Sequence, residues 1–161
     1  MAGWVGLGGP GAGPGGTDEW LQAGIAAFAD GAAALYYEVA RPHSNPVYVE
    51  LGPAVQAKRY RIAVVELATR RSWWRVRVDG RAVGRPVYLP ASHGRWAPVA
   101  TAESWNAGSA ACNAYTFRFG HVVAAGAPGG GWEALRSGHR LESAGYHVVG
   151  GSPYAFVATR P

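Results

Sequence analysis

Residues 72–83, SWWRVRVDGRAV, carry the clearest strand pattern in the chain. Its side chains alternate in character with a period of two, as they do in an extended strand that is buried on one face. One face takes Trp74, Val76 and Val78, and the other takes Trp73, Arg75 and Arg77. The Asp79-Gly80 pair that follows is a strong signal for a two-residue hairpin turn. The stretch therefore predicts an antiparallel hairpin.

The same alternation extends outward from this hairpin. Residues 58–67 place Tyr60, Ile62 and Val64 on one face, and residues 115–123 and 154–159 also read as strands. The 24 glycines and 11 prolines divide the chain into short segments, which favours many strands over a few long helices. We therefore expect an all-β fold, a sandwich of two antiparallel sheets, built as a single domain over residues 1–161.

The region between residues 19 and 40 leaves two alternatives open. Over residues 19–29 the spacing of Leu21, Ile25 and Phe28 fits one face of a helix, although Gly24 weakens that interpretation. Residues 33–40 fit a strand as well as they fit a helix. The residues alone do not decide between these alternatives.

Composition and charge narrow the class of protein. The net charge is +5, but Lys58 is the only lysine and the arginines are dispersed, so a solvated surface is favoured over nucleic-acid binding. No apolar run is long enough to span a bilayer. The single cysteine, Cys112, lies among small residues and is expected to be a buried structural thiol. The first residues contain no signal peptide, and their abrupt entry into a strand suggests that a leader or a first strand precedes them.

Several motifs are excluded as carriers of chemistry. Residues 6–11 satisfy GxGxxG, but the prolines and glycines that follow cannot begin the helix that a dinucleotide site needs. The five histidines have no zinc-ligand spacing, so no metal site is expected. The sequence also lacks a GxSxG nucleophile elbow and a Walker-type phosphate loop.

Two glutamates and a tryptophan remain as candidates. Glu38 and Glu103 both stand beside aromatic residues, where poor solvation raises the pKa of a carboxyl group and prepares it for proton transfer. On pattern alone, however, each is as consistent with an exposed strand residue. Trp73, together with the arginines of its strand face, could line a ligand groove or belong to an ordinary solvated sheet face.

Four segments, taken together, resemble the glutamic peptidases, the eqolisin family. In order along the chain they are Trp4-Val5-Gly6-Leu7-Gly8-Gly9, Leu21-Gln22-Ala23-Gly24, Tyr36-Tyr37-Glu38 and Ala102-Glu103-Ser104-Trp105. The resemblance continues through residues 115–123, 138–141 and 154–159, and so covers nearly the whole chain. It implies a concanavalin-like sandwich of two antiparallel sheets. For the ambiguous region between residues 19 and 40, it favours strands over a helix.

The resemblance also implies roles for individual residues. Glu103 would act as the general base on water, and the amide of Gln22 would stabilise the oxyanion. Trp4 and Glu38 would support the cleft. Beyond what the resemblance implies, Trp105 and Trp73 are expected to add contacts to the substrate. The expected protein is a secreted or cell-envelope endopeptidase, a monomer that acts on peptide or protein substrates without a cofactor, nucleic acid or membrane.

Two other functions fit the same sandwich. One is a lectin-like binding module without catalysis, which would use Trp73, Trp105 and the strand arginines. The other is a jelly-roll glycosidase with Glu38 and Glu103 as its carboxylate pair. The placement of Gln22 relative to Glu103 distinguishes these alternatives from the peptidase.

Overall fold

The computed structural model describes residues 1–106, 109–110 and 114–161, and these residues form an all-β sandwich. Their only helix is one 3-10 turn over Pro14–Gly16. The strands, in chain order, are β1 Ala2–Gly9, β2 Glu19–Ala27, β3 Ala33–Ala40, β4 Val47–Pro53, β5 Ile62–Leu67, β6 Arg70–Val78, β7 Arg81–Tyr88, β8 Pro98–Glu103, β9 Trp105–Asn106, β10 Ser109–Ala110, β11 Tyr115–Gly120, β12 Val123–Ala124, β13 Glu133–Ala134, β14 His147–Ser152 and β15 Ala155–Arg160.

One layer is a five-stranded antiparallel sheet in the order β4-β3-β2-β1-β8. The order places β1 between β2 and β8, so that Gly6 lies opposite Gln22 while Ala2 lies opposite Glu103. On the other side of β2, Gln22 lies opposite Glu38 of β3. Directly opposed residues of an antiparallel pair point to the same face. Gln22, Glu38 and Glu103 therefore share one face of this sheet.

The second layer consists of two three-stranded sheets, β5-β6-β7 and β11-β15-β14. The main core lies between the first of them and the five-stranded sheet, which contributes Leu21, Ala23, Tyr37 and Val39 to it. These residues alternate with Gln22 and Glu38 along β2 and β3. The apolar side chains therefore point inward to the core, and the face that carries Gln22 and Glu103 is the outer one.

The second three-stranded sheet packs at the end of the same inner face. A methyl group on Gly3 would lie 2.5 Å from the ring of Phe117, so the backbone of β1 and this aromatic ring are already in contact. The hydroxyl of Tyr115 donates a hydrogen bond of 3.3 Å to the carbonyl oxygen of Ala102 in β8. Together these contacts fix the position of β8, and hence that of Glu103 at its end.

The expected hairpin over residues 72–83 is confirmed. β6 and β7 pair as far as Val78 and Arg81, and Asp79 and Gly80 turn the chain with φ of 50° and 80°, as a type I′ turn requires. The ambiguous residues between 19 and 40 are strands, β2 and β3, and not a helix. Two strands are shorter than their patterns indicate, since β5 begins only at Ile62 and β11 ends at Gly120.

Three other expectations concern the GxGxxG match, membrane-spanning segments and Cys112. β1 continues through the GxGxxG match to Gly9, and no helix of the dinucleotide-binding kind follows it there. In the ranges that the structure describes, no helix has the length and apolar character needed to cross a membrane. Cys112 lies outside the described residues.

Candidate functional site

Glu103 lies at the end of β8 on the outer face of the five-stranded sheet. Its Oε1 atom accepts a hydrogen bond of 3.1 Å from the indole Nε1 of Trp4, which projects from the neighbouring strand β1. This bond fixes the orientation of the carboxylate. The side chain remains in contact with solvent, so a water molecule or a substrate can reach it.

The pKa of Glu103 is raised above the ordinary value of a glutamate. The largest cause is the protein that surrounds the carboxyl group and weakens its hydration, and the negative charge of Glu38 adds to it. Hydrogen bonds from Trp4 and from the amide of Gln22 act in the opposite direction but do not cancel the rise. Glu103 is thus a carboxyl group that remains accessible and holds its proton to a higher pH than usual.

Gln22 is buried, at 8% exposure. Its Nε2 atom donates a hydrogen bond of 3.3 Å to the hydroxyl of Tyr36 on β3, and its amide lies close enough to Glu103 to lower the pKa of that carboxyl group. The bond to Tyr36 restricts the orientation of the buried amide before any ligand arrives. The structure thus brings Gln22 and Glu103 together across β1.

Glu38 is held in the same way on the other side of Gln22. Its Oε1 accepts a hydrogen bond of 3.0 Å from the indole Nε1 of Trp20. The face therefore carries two tryptophan–glutamate pairs, Trp4 with Glu103 and Trp20 with Glu38, and Gln22 lies between them. Glu38 and Glu103 are close enough for the charge of the first to affect the ionisation of the second.

Two glycines keep the floor between these side chains open. A methyl group on Gly24 would lie 2.7 Å from the Cβ of Trp4, and one on Gly6 would lie 3.0 Å from the Cβ of Gln22. Any larger residue at either position would displace one of the two side chains. The glycines therefore allow Trp4 and Gln22 to lie low over the sheet.

The other two residues expected in the site are Trp73 and Trp105. Trp73 alternates with the core residue Val76 along β6, and so points from the outer side of the second layer, opposite to the face of Glu103. The structure does not bring Trp73 together with Gln22 and Glu103. Trp105 begins β9, two residues beyond Glu103, and is 63% exposed.

Tyr36 and Trp20 are site residues that were not identified from the sequence. Tyr36 stacks on Tyr48 with ring centroids 5.0 Å apart, and burial, followed by the charges of Glu103 and Glu38, raises the pKa of its hydroxyl. Its hydroxyl therefore stays protonated beside Gln22. The signal was available in the strand period: once β2 and β3 are taken as strands, Trp20 shares a face with Gln22, and Tyr36 shares a face with Glu38.

The described residues contain no group of three or more histidine, cysteine, aspartate or glutamate side chains that could hold a metal ion. Comparisons with known protein families, with curated proteins and with solved structures find no match to this chain. The function of the chain is therefore inferred from the geometry of the outer face that carries Gln22 and Glu103.

Proposed function

We propose that this chain is a peptidase of the glutamic type, in which Glu103 activates water and Gln22 stabilises the oxyanion. We further propose that its sandwich is of the concanavalin-like class, and that the protein acts as a monomer on protein substrates outside the cytoplasm. The observation that carries the proposal is the placement of Gln22 and Glu103, 81 positions apart in the sequence, on one face of the sheet and on the two strands that flank β1. Gln22 is bonded there to Tyr36, and Glu103 to Trp4.

In the first step Glu103 removes a proton from a bound water molecule as the water oxygen attacks the carbonyl carbon of the peptide. The indole N–H of Trp4 donates a hydrogen bond to Oε1 of Glu103, and this bond limits the orientations that the carboxylate can adopt. A base with a raised pKa binds the abstracted proton more strongly than an ordinary glutamate does. It must nevertheless be ionised before it can act.

In the second step the negative charge develops on the former carbonyl oxygen. The Gln22 amide, which faces Glu103, can donate an N–H to this oxygen, and a donor of this kind contributes about 3 kcal/mol to transition-state stabilisation. The tetrahedral intermediate then expels the amine, which takes the proton from Glu103. The carboxylate is regenerated, so the cycle needs no cofactor.

The test is cleavage of a denatured protein such as casein between pH 2 and pH 7. The wild type should show a rate that falls on acidification, with a midpoint above the value of about 4.3 of an ordinary glutamate, because the protonated form of Glu103 cannot act as a base. Glu103→Gln should lose at least about two orders of magnitude in rate. Glu133, an exposed glutamate of β13 outside the five-stranded sheet, is the matched control, and Glu133→Gln should retain full activity.

Gln22→Ala should reduce kcat more than it raises KM, because the amide acts mainly on the charge that develops in the transition state. The proposal fails if wild-type protein of native fold cleaves no substrate at any pH. It also fails if Glu133→Gln and Glu103→Gln lose the same activity.

A second candidate function is supported by the paired carboxylates. Glu38 and Glu103 share the outer face, each is held by a tryptophan N–H, and the pKa of Glu103 is raised, as in the acid of a glycosidase pair. The substitution Glu38→Gln separates the two functions. A glycosidase would lose its activity on polysaccharides, whereas the peptidase would keep measurable cleavage of casein because its base and its amide remain in place.

A further inference from the structure

A cleft of about 480 Å³ lies away from the tryptophan–glutamate face, at the end of β6 and β7. Its volume is in the range of small-molecule sites, about 300–1,000 Å³. The polar side chains that line it are Arg71, Ser72, Tyr88, His93 and Arg95. Nothing in the proposed peptidase mechanism uses any of them.

The floor of this cleft is held by a buried carboxylate. Glu66 of β5, whose side chain is only 6% exposed, accepts hydrogen bonds from the ring nitrogen Nδ1 of His93 at 2.8 Å and from the backbone N–H of Ser72 at 2.6 Å. A carboxylate only accepts hydrogen bonds here, so the hydrogen lies on Nδ1 and the second ring nitrogen, Nε2, is the one left for a ligand. The contact with Ser72 also holds that residue at φ 61°, a conformation unusual for serine. His93 is thus fixed in one tautomer and one orientation.

The charge of the lining is positive. Arg71 and Arg95 are exposed and line the cleft, and none of the described residues that line it is acidic. The carboxylate of Glu66 lies behind His93 and does not belong to the lining. The two guanidinium groups therefore face a space in which the preferred partner is an oxyanion, which arginine binds through two parallel hydrogen bonds.

An aromatic surface adjoins the arginines. Tyr88 lines the cleft with 47% of its surface exposed, and its ring lies 5.5 Å from that of Trp73. The guanidinium of Arg70 in turn covers Trp73 at 3.9 Å. The exposed ring of Tyr88 offers a flat apolar surface next to an anion site. This combination suits a ligand that carries a ring as well as a negative charge.

We infer that this cleft binds an acidic sugar. Its carboxylate pairs with Arg71 and Arg95, its ring lies against Tyr88, and one of its hydroxyl groups forms a hydrogen bond with Nε2 of His93. A sugar hydroxyl can both donate and accept, so it can pair with Nε2 whether or not that nitrogen carries a proton. This favours a sugar acid over a fully ionised phosphate, whose oxygens only accept hydrogen bonds.

The experiment is titration of the wild-type protein with tetragalacturonate by isothermal calorimetry at 50 mM salt. Galactotetraose serves as the neutral comparison, acetate as the isolated anion and AMP as a ring-bearing phosphate. We expect tetragalacturonate to bind at least about tenfold more tightly than any of the three, because only it offers the carboxylate, the sugar ring and the hydroxyls together.

Arg95→Gln should weaken tetragalacturonate binding about tenfold or more, while Arg77→Gln should change it less than twofold. Arg77 is the matched control because it is an exposed arginine of β6 that does not line the cleft. In NMR spectra of the wild type and of Arg77→Gln, the ring signals of Tyr88 and His93 should shift as tetragalacturonate is added. In Arg95→Gln the same signals should shift only at higher ligand concentration.

Three results would overturn the inference: no binding of tetragalacturonate at millimolar concentration, tighter binding of AMP or of galactotetraose, or equal losses in Arg95→Gln and Arg77→Gln. The assay measures binding alone and at a place remote from Glu103. Its outcome is therefore independent of whether the chain cleaves peptides.

Discussion

Glu19, at the start of β2, is the least favourably placed charged group in the described part of the chain. It is fully buried, and its Oε2 accepts one hydrogen bond, 3.3 Å long, from the N–H of Ala91. Its Oε1 has no hydrogen-bond partner among the described residues. Burial raises the pKa of Glu19, and the bond from Ala91 only partly offsets that rise. We predict that replacing it with glutamine stabilises the protein at neutral pH.

The size of the effect follows from the negative charge on the unpartnered oxygen. A buried polar atom without a partner costs about 1–3 kcal/mol and more when it carries charge, and glutamine removes the charge. Since a raised pKa means that the folded state holds its proton more strongly than the unfolded state, the contribution of Glu19 to stability is lost as pH rises from about 4.3 through the folded pKa. Glu19→Gln removes that loss. The expected gain at pH 7.5 is about 1–3 kcal/mol, or about 2–4 °C in Tm for each kcal/mol.

Urea denaturation of both proteins at pH 7.5 and at pH 3.5 measures this difference. The gain should be present at pH 7.5 and absent at pH 3.5, where the carboxyl group is protonated in the folded and in the unfolded chain. Glu133→Gln, an exposed glutamate of β13, is the control and should change the free energy of unfolding by less than about 0.5 kcal/mol. A gain of equal size at both pH values, or a loss at pH 7.5, would refute the reasoning.

Three further predictions test the described contacts. Gly24→Ala should lower the free energy of unfolding by about 2–3 kcal/mol in urea denaturation, because the new methyl group would lie 2.2 Å from a carbonyl oxygen of β1. An unchanged urea midpoint would contradict this close approach. Trp4→Phe keeps an aromatic ring but removes the hydrogen bond that lowers the pKa of Glu103, so the pKa of Glu103 should rise. Carboxyl ¹³C NMR measures this pKa, and a fall would contradict the role given to the Trp4 bond. Asp79→Ala should lower the free energy of unfolding by about 1–2 kcal/mol, because alanine disfavours a φ of 50° and leaves the N–H of Arg61 without its acceptor. Asp79→Asn should leave the free energy of unfolding close to that of the wild type.

The sequence was most informative where polar and apolar residues differ strongly along a strand. In residues 72–83 tryptophan and valine alternate with arginine, so the faces of β6 and the turn at Asp79 and Gly80 could be predicted. In β2 the outward residues include Gly24 and Trp20, which are no more polar than the inward ones. That lack of contrast is the physical reason why residues 19–29 looked as much like a helix as like a strand.

The meeting of Gln22 and Glu103 could not be predicted from periodicity. It depends on β1 lying between β2 and β8, and this strand order is set by packing over the whole core rather than by any local pattern. Only a resemblance in the order of short motifs pointed to it. For Trp73 the pattern gave the correct face of its strand but not the side of the sandwich on which that face lies. The hydrogen bond between His93 and Glu66 had no signal in the sequence, since the two residues are 27 positions apart.

The position of β1 has a consequence for the order of events during synthesis. Trp4 is made before its partner Glu103, which follows 99 residues later, when β8 is added to the free side of β1. A nascent chain that has completed the hairpins of β2, β3 and β4 therefore already carries Gln22 but not Glu103. The two halves of the candidate site can meet only after the ribosome has passed residue 103, so a shorter nascent chain contains no complete candidate site.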